Sequence, residues 1–462
     1  MLNKLPRFAR ILLALIAILI LALAVYNIPY VNDRLSWRLD DLRAQISSYF
    51  LPPPSAVFVP AQQAQIDIIV SATMLAMRTP TTTLTPAISP SPVGPTSTPT
   101  ITPTPTITPT PLPGSVTLTG VVYVDQTGGY NLCGPSNLTM ALKFWKWKGT
   151  RDDILKVIKP GINDSSLIFW KRGKSDKNVM PYEMVDYVND QTNFRALSRY
   201  GGSQDVIKGF IAAGYPVLIE KGEFQKDTTG IVSWMGHYQF ITGYSDASKY
   251  FLIQDTYLDG PNFKVPYDKL YNEWRAFNYL FIIVYPIDRE EKVQALLGNW
   301  ADVDWANKHA LEIADAETKT MTGLDAYFAW FNKGTNHVQL LQYFDAGTAY
   351  DQAFAIFPTI PLDKDKLPYR MLWYQTGPYK AYFYSGRYQD VINLATVTLG
   401  TVKDGPTLEE SLYWRGMAEQ ASGNTAAALA DFSAANHLNP KMPAIIQAMQ
   451  SVGAVPETPV KP

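Results

Sequence analysis

The chain holds a single cysteine, Cys133, and 4 histidines among 462 residues. One thiol excludes an internal disulfide framework and any zinc site built from several cysteines. No His-Glu-x-x-His run is present, so neither a protein-built catalytic metal site nor another cofactor is expected. A Gly-x-x-x-x-Gly-Lys-Ser/Thr phosphate loop is also missing. Neither sign of charge dominates, because 40 Lys and Arg against 41 Asp and Glu leave a net −1. That balance supplies no cationic field for gripping nucleic acid, and no nucleic-acid partner is expected. What is present is a composition of 47% hydrophobic and 18% charged residues, enough for a sizeable core and for two to four domains.

The chain is uneven along its length. After a short N-terminus (1–10) carrying Lys4, Arg7 and Arg10, residues 11–31 are almost wholly apolar, with only Asn27 plainly polar. A bilayer-spanning helix needs ~20 such residues, so this segment predicts a single-pass transmembrane anchor with a cytoplasmic N-terminus. Ala22-Leu23-Ala24 also fits a signal-peptidase site, so the alternative is secretion after cleavage near Ala24. Either way the rest of the chain is expected to be extracytoplasmic. Residues 32–79 read as a juxtamembrane stalk. Residues 80–114 read as a disordered Thr/Pro-rich linker, purest at Ile101-Thr-Pro-Thr-Pro-Thr-Ile-Thr-Pro-Thr-Pro. Such a run favours an extended polyproline-like spacer of ~3.1 Å per residue.

From 115 to 288 the pattern is mixed. Val116 to Val124 reads as a strand, Pro135 to Trp147 as an amphipathic helix, and Pro181 to Tyr187 and Gln204 to Ala213 as shorter helices. Strands are predicted over Pro216 to Glu220, His237 to Tyr244, Tyr250 to Gln254 and Tyr279 to Tyr285. Helices first and strands later predict an α+β domain with an antiparallel sheet. Beyond connecting helices (289–326), residues 327–442 are helical with a 34-residue period. Gly334, Ala346, Tyr350 and Ala353 in a unit starting at Tyr327 match Gly416, Ala428, Phe432 and Ala435 in a unit starting at Glu409. A weaker unit starts at Leu372. These units resemble tetratricopeptide repeats, which implies an all-α solenoid that recruits a protein partner. A tail follows over 443–462.

The chemistry-bearing residues converge on Cys133. It stands in Gln126-Thr-Gly-Gly-Tyr-Asn-Leu-Cys133-Gly134-Pro135, at the predicted helix start, where the helix dipole favours a thiolate. Gln126 lies across a Gly-Gly turn from which an amide can fold back as an oxyanion donor. His237 follows Gly236 on one predicted strand, and Asp255 ends the next. A hairpin loop with an odd number of residues centred on Asp246 would oppose His237 and Asp255 directly, whereas a two-residue loop would oppose His237 to Thr256. Gln, then Cys-Gly-Pro opening a helix, then Gly-His on a strand and Asp ending the next, resembles the papain-like cysteine peptidases, most of all the bacteriocin-processing (double-glycine) type. The resemblance implies Cys133 as nucleophile, His237 as general base and acid, Asp255 as its orienting acid and Gln126 as oxyanion donor. It also implies a peptide or protein substrate, cleaved by a peptidase or amidase that the apolar N-terminal segment would hold at the membrane. The alternative is a catalytically idle peptidase-like and repeat scaffold that binds peptides or proteins.

Overall fold

The computed structural model describes residues 7–26, 31, 58, 60, 111–128, 131–160, 178–226, 232–402 and 408–456. The expected linker up to residue 110, and the expected stalk apart from Phe58 and Pro60, lie outside the described residues. Helix α1 (Arg7–Tyr26) leaves most of its apolar side chains exposed, among them Phe8, Ile11, Ile16, Leu21 and Val25. The expected span of 11–31 differs from what is described. From Ile11 to Tyr26 the helix offers about 24 Å of apolar length at ~1.5 Å per residue, against a ~30 Å hydrocarbon core. Among the described residues no helix is long and apolar enough to cross a membrane, and residues 27–30 lie outside them.

In chain order there follow β1 (Ser115–Thr117), α2 (Cys133–Phe144), α3 (Arg151–Ile158), α4 (Pro181–Gln191), β2 (Phe194–Arg199) and α5 (Gln204–Ala212). Then come β3 (Val217–Lys226), β4 (Val232–Ser245), β5 (Tyr250–Gln254), β6 (Phe263–Pro266), α6 (Tyr267–Trp274) and β7 (Phe281–Pro286). The strands form one antiparallel 7-stranded sheet in the order β2-β7-β3-β4-β5-β6, with β1 paired to β4. Strand side chains alternate between faces, and here each face has its own core. Leu218, Tyr238 and Phe240 pack with Leu138 and Leu142 of α2. Val217, Ile219 and Ile241 pack with Ile207 and Phe210 of α5 and Trp274 of α6. The expected strand over 116–124 ends at Thr117, and β2 and β6 are strands that the periodicity did not predict.

The C-terminal half is helical: α7 (Glu290–Leu297), α8 (Val303–Thr320), α9 (Gly323–Gln339), α10 (Tyr343–Ile356), α11 (Gly377–Tyr384), α12 (Tyr388–Gly400), α13 (Glu409–Ala421), α14 (Thr425–Leu438) and α15 (Pro443–Ser451). Within this region α9 packs on α10, α11 on α12, and α13 on α14. A Cβ on Gly334 would come within 2.7 Å of the Tyr350 ring, and one on Gly416 within 2.6 Å of the Phe432 ring. These are the same two unit positions, and only glycine lets the helices meet there. The turns inside the three pairs each carry a left-handed residue at one shared unit position: Leu341 (φ 59), Gly386 (φ 74) and Gly423 (φ 86). A leucine is strained in that region by ~1–2 kcal/mol, and Leu341 is 71% exposed, so packing does not hold it there. Leu341→Gly is therefore expected to raise stability by about 0.5–1 kcal/mol, net of the added freedom of the unfolded chain; urea titration of both proteins checks the sign.

Sheet and helices share a core. Trp234, Ala276 and Phe277 belong to one cluster with Tyr327, Phe331, Tyr350 and Tyr382. Arg275 adds ion pairs of 3.0 Å to both Glu317 and Asp325, and its carbonyl accepts from Asn332 at 2.7 Å. Phe58, from the expected stalk, is buried in the same cluster, with its ring edge-on to Phe354 at 5.0 Å.

Candidate active site

Cys133 is the first residue of α2, a helix buried from Gly134 to Leu142. The Asn137 amide, one turn on, donates to the Cys133 carbonyl and to the Tyr238 carbonyl of β4, both at 2.8 Å. That side chain pins the helix start to the strand that carries His237. The half-buried thiol hydrogen-bonds to His237 and receives the backbone N–H groups of Tyr238 and Gly134. Burial alone would raise its pKa, but the His237 hydrogen bond and charge, with those amides, outweigh burial and hold the thiol below its ordinary value.

The His237 imidazole is buried, and its Nε2 lies 2.9 Å from Asp255 Oδ2, which leaves Nδ1 for the thiol. Burial would lower the pKa of this ring. The hydrogen bonds to Asp255 and Cys133, and the charges of Asp255 and Glu223, instead drive it well above the ordinary imidazole value. Asp255 is fully buried, yet its carboxyl is held well below the usual range. Burial opposes that shift, and the hydrogen bond and charge of His237 prevail. Gln239 Nε2 donates to Asp255 Oδ2 at 2.9 Å and the Tyr257 N–H to Oδ1 at 2.8 Å. The Tyr123 hydroxyl holds the Asp255 carbonyl at 2.8 Å. The carboxylate thus has a full set of donors, as a buried charge requires.

The expected direct opposition of His237 and Asp255 needs correction. The hairpin loop is even, residues 246–249 between the paired Ser245 and Tyr250, which by itself puts Asp255 on the wrong face. A bulge between Ile241 and Gly243 shifts the register so that Phe240 opposes Gln254. Asp255 therefore falls beside Gln239 and reaches His237 along the diagonal, on the shared face. One inserted residue restores the parity that the loop removes.

Gln126 lies on the Asp255 side. Its backbone N–H donates to the Thr256 carbonyl at 2.9 Å, and its Oε1 accepts from the Thr256 hydroxyl at 2.8 Å. With the oxygen so engaged, the amide's donors belong to Nε2. The preceding carbonyl, of Asp125, accepts from Ser136 Oγ in the first turn of α2 at 2.8 Å. This ties the Gln126 segment to the helix start that bears Cys133.

Several site residues escaped the sequence reading. Gln239 was legible, since it stands two residues from His237 on a strand and so shares its face. Glu223, His237 and Asp255 bring one ligand-type atom each within 4.8 Å of one another. Glu223 is held by Lys221 at 2.7 Å and by the Gln225 amide. Lys221 also pairs with Glu273 at 2.6 Å. The grouping is a charge-paired hydrogen-bond network as it stands. Tyr374, from the C-terminal half, accepts the Gly236 N–H next to His237; no local pattern announces it.

Residues 118–282 match the model of the Peptidase_C39 like family, which supports a C39-like cysteine peptidase domain over that stretch. The chain is also similar to a solved structure described as a C39-like peptidase from Bacillus anthracis, at 18% identity over 37% of this chain and 96% of that one, with a TM-score of 0.28. Xylellain, a cysteine protease from Xylella fastidiosa, aligns at 15% identity over 38% of this chain and 87% of its own, with a TM-score of 0.29. The peptidase domain of Streptococcus ComA, a bi-functional ABC transporter involved in quorum sensing, aligns at 14% identity over 36% and 99%, with a TM-score of 0.25. No curated protein matches the chain.

Proposed function

We propose that the chain is a thiol-dependent peptidase or amidase in which Cys133, His237, Asp255 and Gln126 act as one site. The hydrogen-bonded run from Cys133 through His237 to Asp255, starting at a helix N-terminus, is the observation that carries this reading. The Cys133 thiolate attacks the carbonyl carbon of a peptide bond, forming the C–S bond while negative charge gathers on the oxygen. Gln126 Nε2 and the Cys133 backbone N–H stabilise that oxyanion. The imidazolium of His237 gives its proton to the departing nitrogen as the C–N bond breaks, leaving a thioester and a free amine. His237 then takes a proton from water, the hydroxide adds to the thioester, and the acid leaves with Cys133 restored. Asp255 holds the ring in place and favours its charged form.

The exposed apolar surface of α1 supports membrane anchoring, and Lys4, Arg7 and Arg10 ahead of its apolar run favour the folded part being extracytoplasmic. The matching glycine contacts of two helix pairs and the left-handed turns of all three support the tetratricopeptide reading, in which this region recruits a protein partner. The test is hydrolysis of fluorogenic peptide amides by the full chain. Gln126→Ala is expected to lower kcat ~10²-fold with KM nearly unchanged, because the oxyanion exists only beyond the ground state. A rise in KM at constant kcat would assign Gln126 to substrate binding instead.

A further inference from the structure

A turn from the C-terminal half reaches the reactive thiol. Residues Met371–Tyr374 form a single helical turn ahead of α11, and its flanks are fixed to both sides of the Cys133 site. On the helical side, Asn178 Nδ2 donates to the Trp373 carbonyl at 2.5 Å. The next residue, Val179, packs against Gly134, whose Cβ would lie 3.1 Å from Val179 Cγ1. On the sheet side, Arg370 Nη1 donates to Ser233 Oγ at 2.6 Å and Gln375 Nε2 to the Ala276 carbonyl at 2.7 Å. Tyr374 lies edge-on to Trp234 and Phe277, at 6.2 and 5.8 Å. Its ring abuts Gly236 so closely that a Cβ there would sit 3.1 Å from it and 2.6 Å from Phe277. Glycine before His237 is thus a packing requirement, set first by Phe277 and then by the ring from the distant turn. The turn bridges two positions, each one residue away from the catalytic segment: Val179 against Gly134, and Gly236 before His237.

The orientation of a bound substrate follows from the chemistry. The departing amine must face His237, whose proton it takes, on the side where Asp255, Thr256 and Gln126 are linked. The acyl part then extends to the other side of the sulfur, between Val179 and Gly236, where Trp373 and Tyr374 stand. We propose that the Arg370–Gln375 turn walls off the acyl side of the cleft, so that the enzyme takes peptides with a short acyl part and cleaves close to their N-terminus. The C-terminal half is then part of the specificity apparatus. This rests on the cysteine-peptidase reading above.

The test uses the full chain and peptide amides with one aminocoumarin leaving group and acyl parts of two or four alanines. Peptidyl vinyl sulfones of the same two lengths are run in parallel, and their labelling of Cys133 is read by mass spectrometry without any need for turnover. The four-residue compounds are expected to react about tenfold more slowly than the two-residue ones, as steric exclusion of an extra group allows. Arg370→Ala and Tyr374→Ala should bring the two lengths together, while Tyr374→Phe, which keeps the ring, should retain the difference. If Tyr374→Ala fails to fold, Arg370→Ala alone carries the comparison. Equal rates for both lengths in the unaltered chain, or a length ratio that neither alanine variant moves, would overturn the wall. A length-dependent labelling without hydrolysis of any amide would keep the wall and count against the peptidase reading alone.

Discussion

Cys133→Ala is expected to lower kcat by roughly 10⁵–10⁶-fold, and His237→Ala by nearly as much. The two losses are similar because the residues act as a unit. The sulfur forms the bond to the acyl carbon, and nothing else among the described residues at the site offers a nucleophilic thiol, since Cys133 is the only cysteine. His237 serves twice. Its charge and hydrogen bond hold the thiol below its ordinary pKa against the opposing effect of burial, and its proton goes to the leaving amine. The double variant should therefore be little slower than either single one. Steady-state rates on a peptide amide, with circular dichroism to show that each variant folds, are the measurement. An additive double variant would mean that the two side chains contribute independently.

The largest stability effect is expected far from the thiol. Arg387 sits in the turn between α11 and α12, under 5% exposed, and reaches three helices at once. Its Nη1 and Nη2 meet the two Asp351 oxygens of α10 at 2.7 and 2.9 Å, and its Nε meets Asp390 of α12 at 2.8 Å. The Tyr382 hydroxyl of α11 also donates to Asp351 at 2.8 Å, and the guanidinium lies 4.2 Å from the centre of that ring. Removing one partner of such a buried pair leaves an uncompensated charge, which costs ~3–5 kcal/mol. Arg387→Ala, which leaves both the Asp351 and Asp390 carboxylates without their cation, should therefore lower the urea midpoint sharply. Because Trp234 and Phe277 share a core with Tyr350 and Tyr382, activity and helical signal should be lost in the same transition. Separate transitions would show that the helices and the sheet fold as independent units.

Local features were legible where a short sequence signal and a short structural consequence coincide. The Cys-Gly-Pro start of α2 and the strand Tyr250–Gln254 are of this kind. The pairing of His237 with Asp255 was legible only in part. An even loop and a bulge cancel in parity, and neither leaves a mark in the hydrophobic alternation. β2, Phe194–Arg199, reads as polar because two of its residues are arginines, one of them anchored at 2.8 Å to the Trp300 carbonyl. The link from Tyr374 to Gly236 joins distant parts of the sequence through packing and one hydrogen bond, neither of which leaves a local pattern. The glycines at 334 and 416 were legible as a pattern, but only the rings of Tyr350 and Phe432 give the reason for them.

The central claim is that Cys133 is a thiolate because His237 is its imidazolium partner, and the pH dependence of alkylation by iodoacetamide tests it most directly. The thiol pKa is depressed, so the thiolate is present above that lowered value and lost as pH falls through it. The raised imidazole pKa means that the ring keeps its proton past neutrality and loses it only as pH rises through the raised value. Labelling of Cys133 is therefore predicted to stay fast at pH values below the free-thiol range near ~8.5, and in His237→Ala to fall there at least tenfold and recover only towards that range. A rate that climbs through ~8.5 in the unaltered chain, and that His237→Ala leaves unchanged, would contradict it.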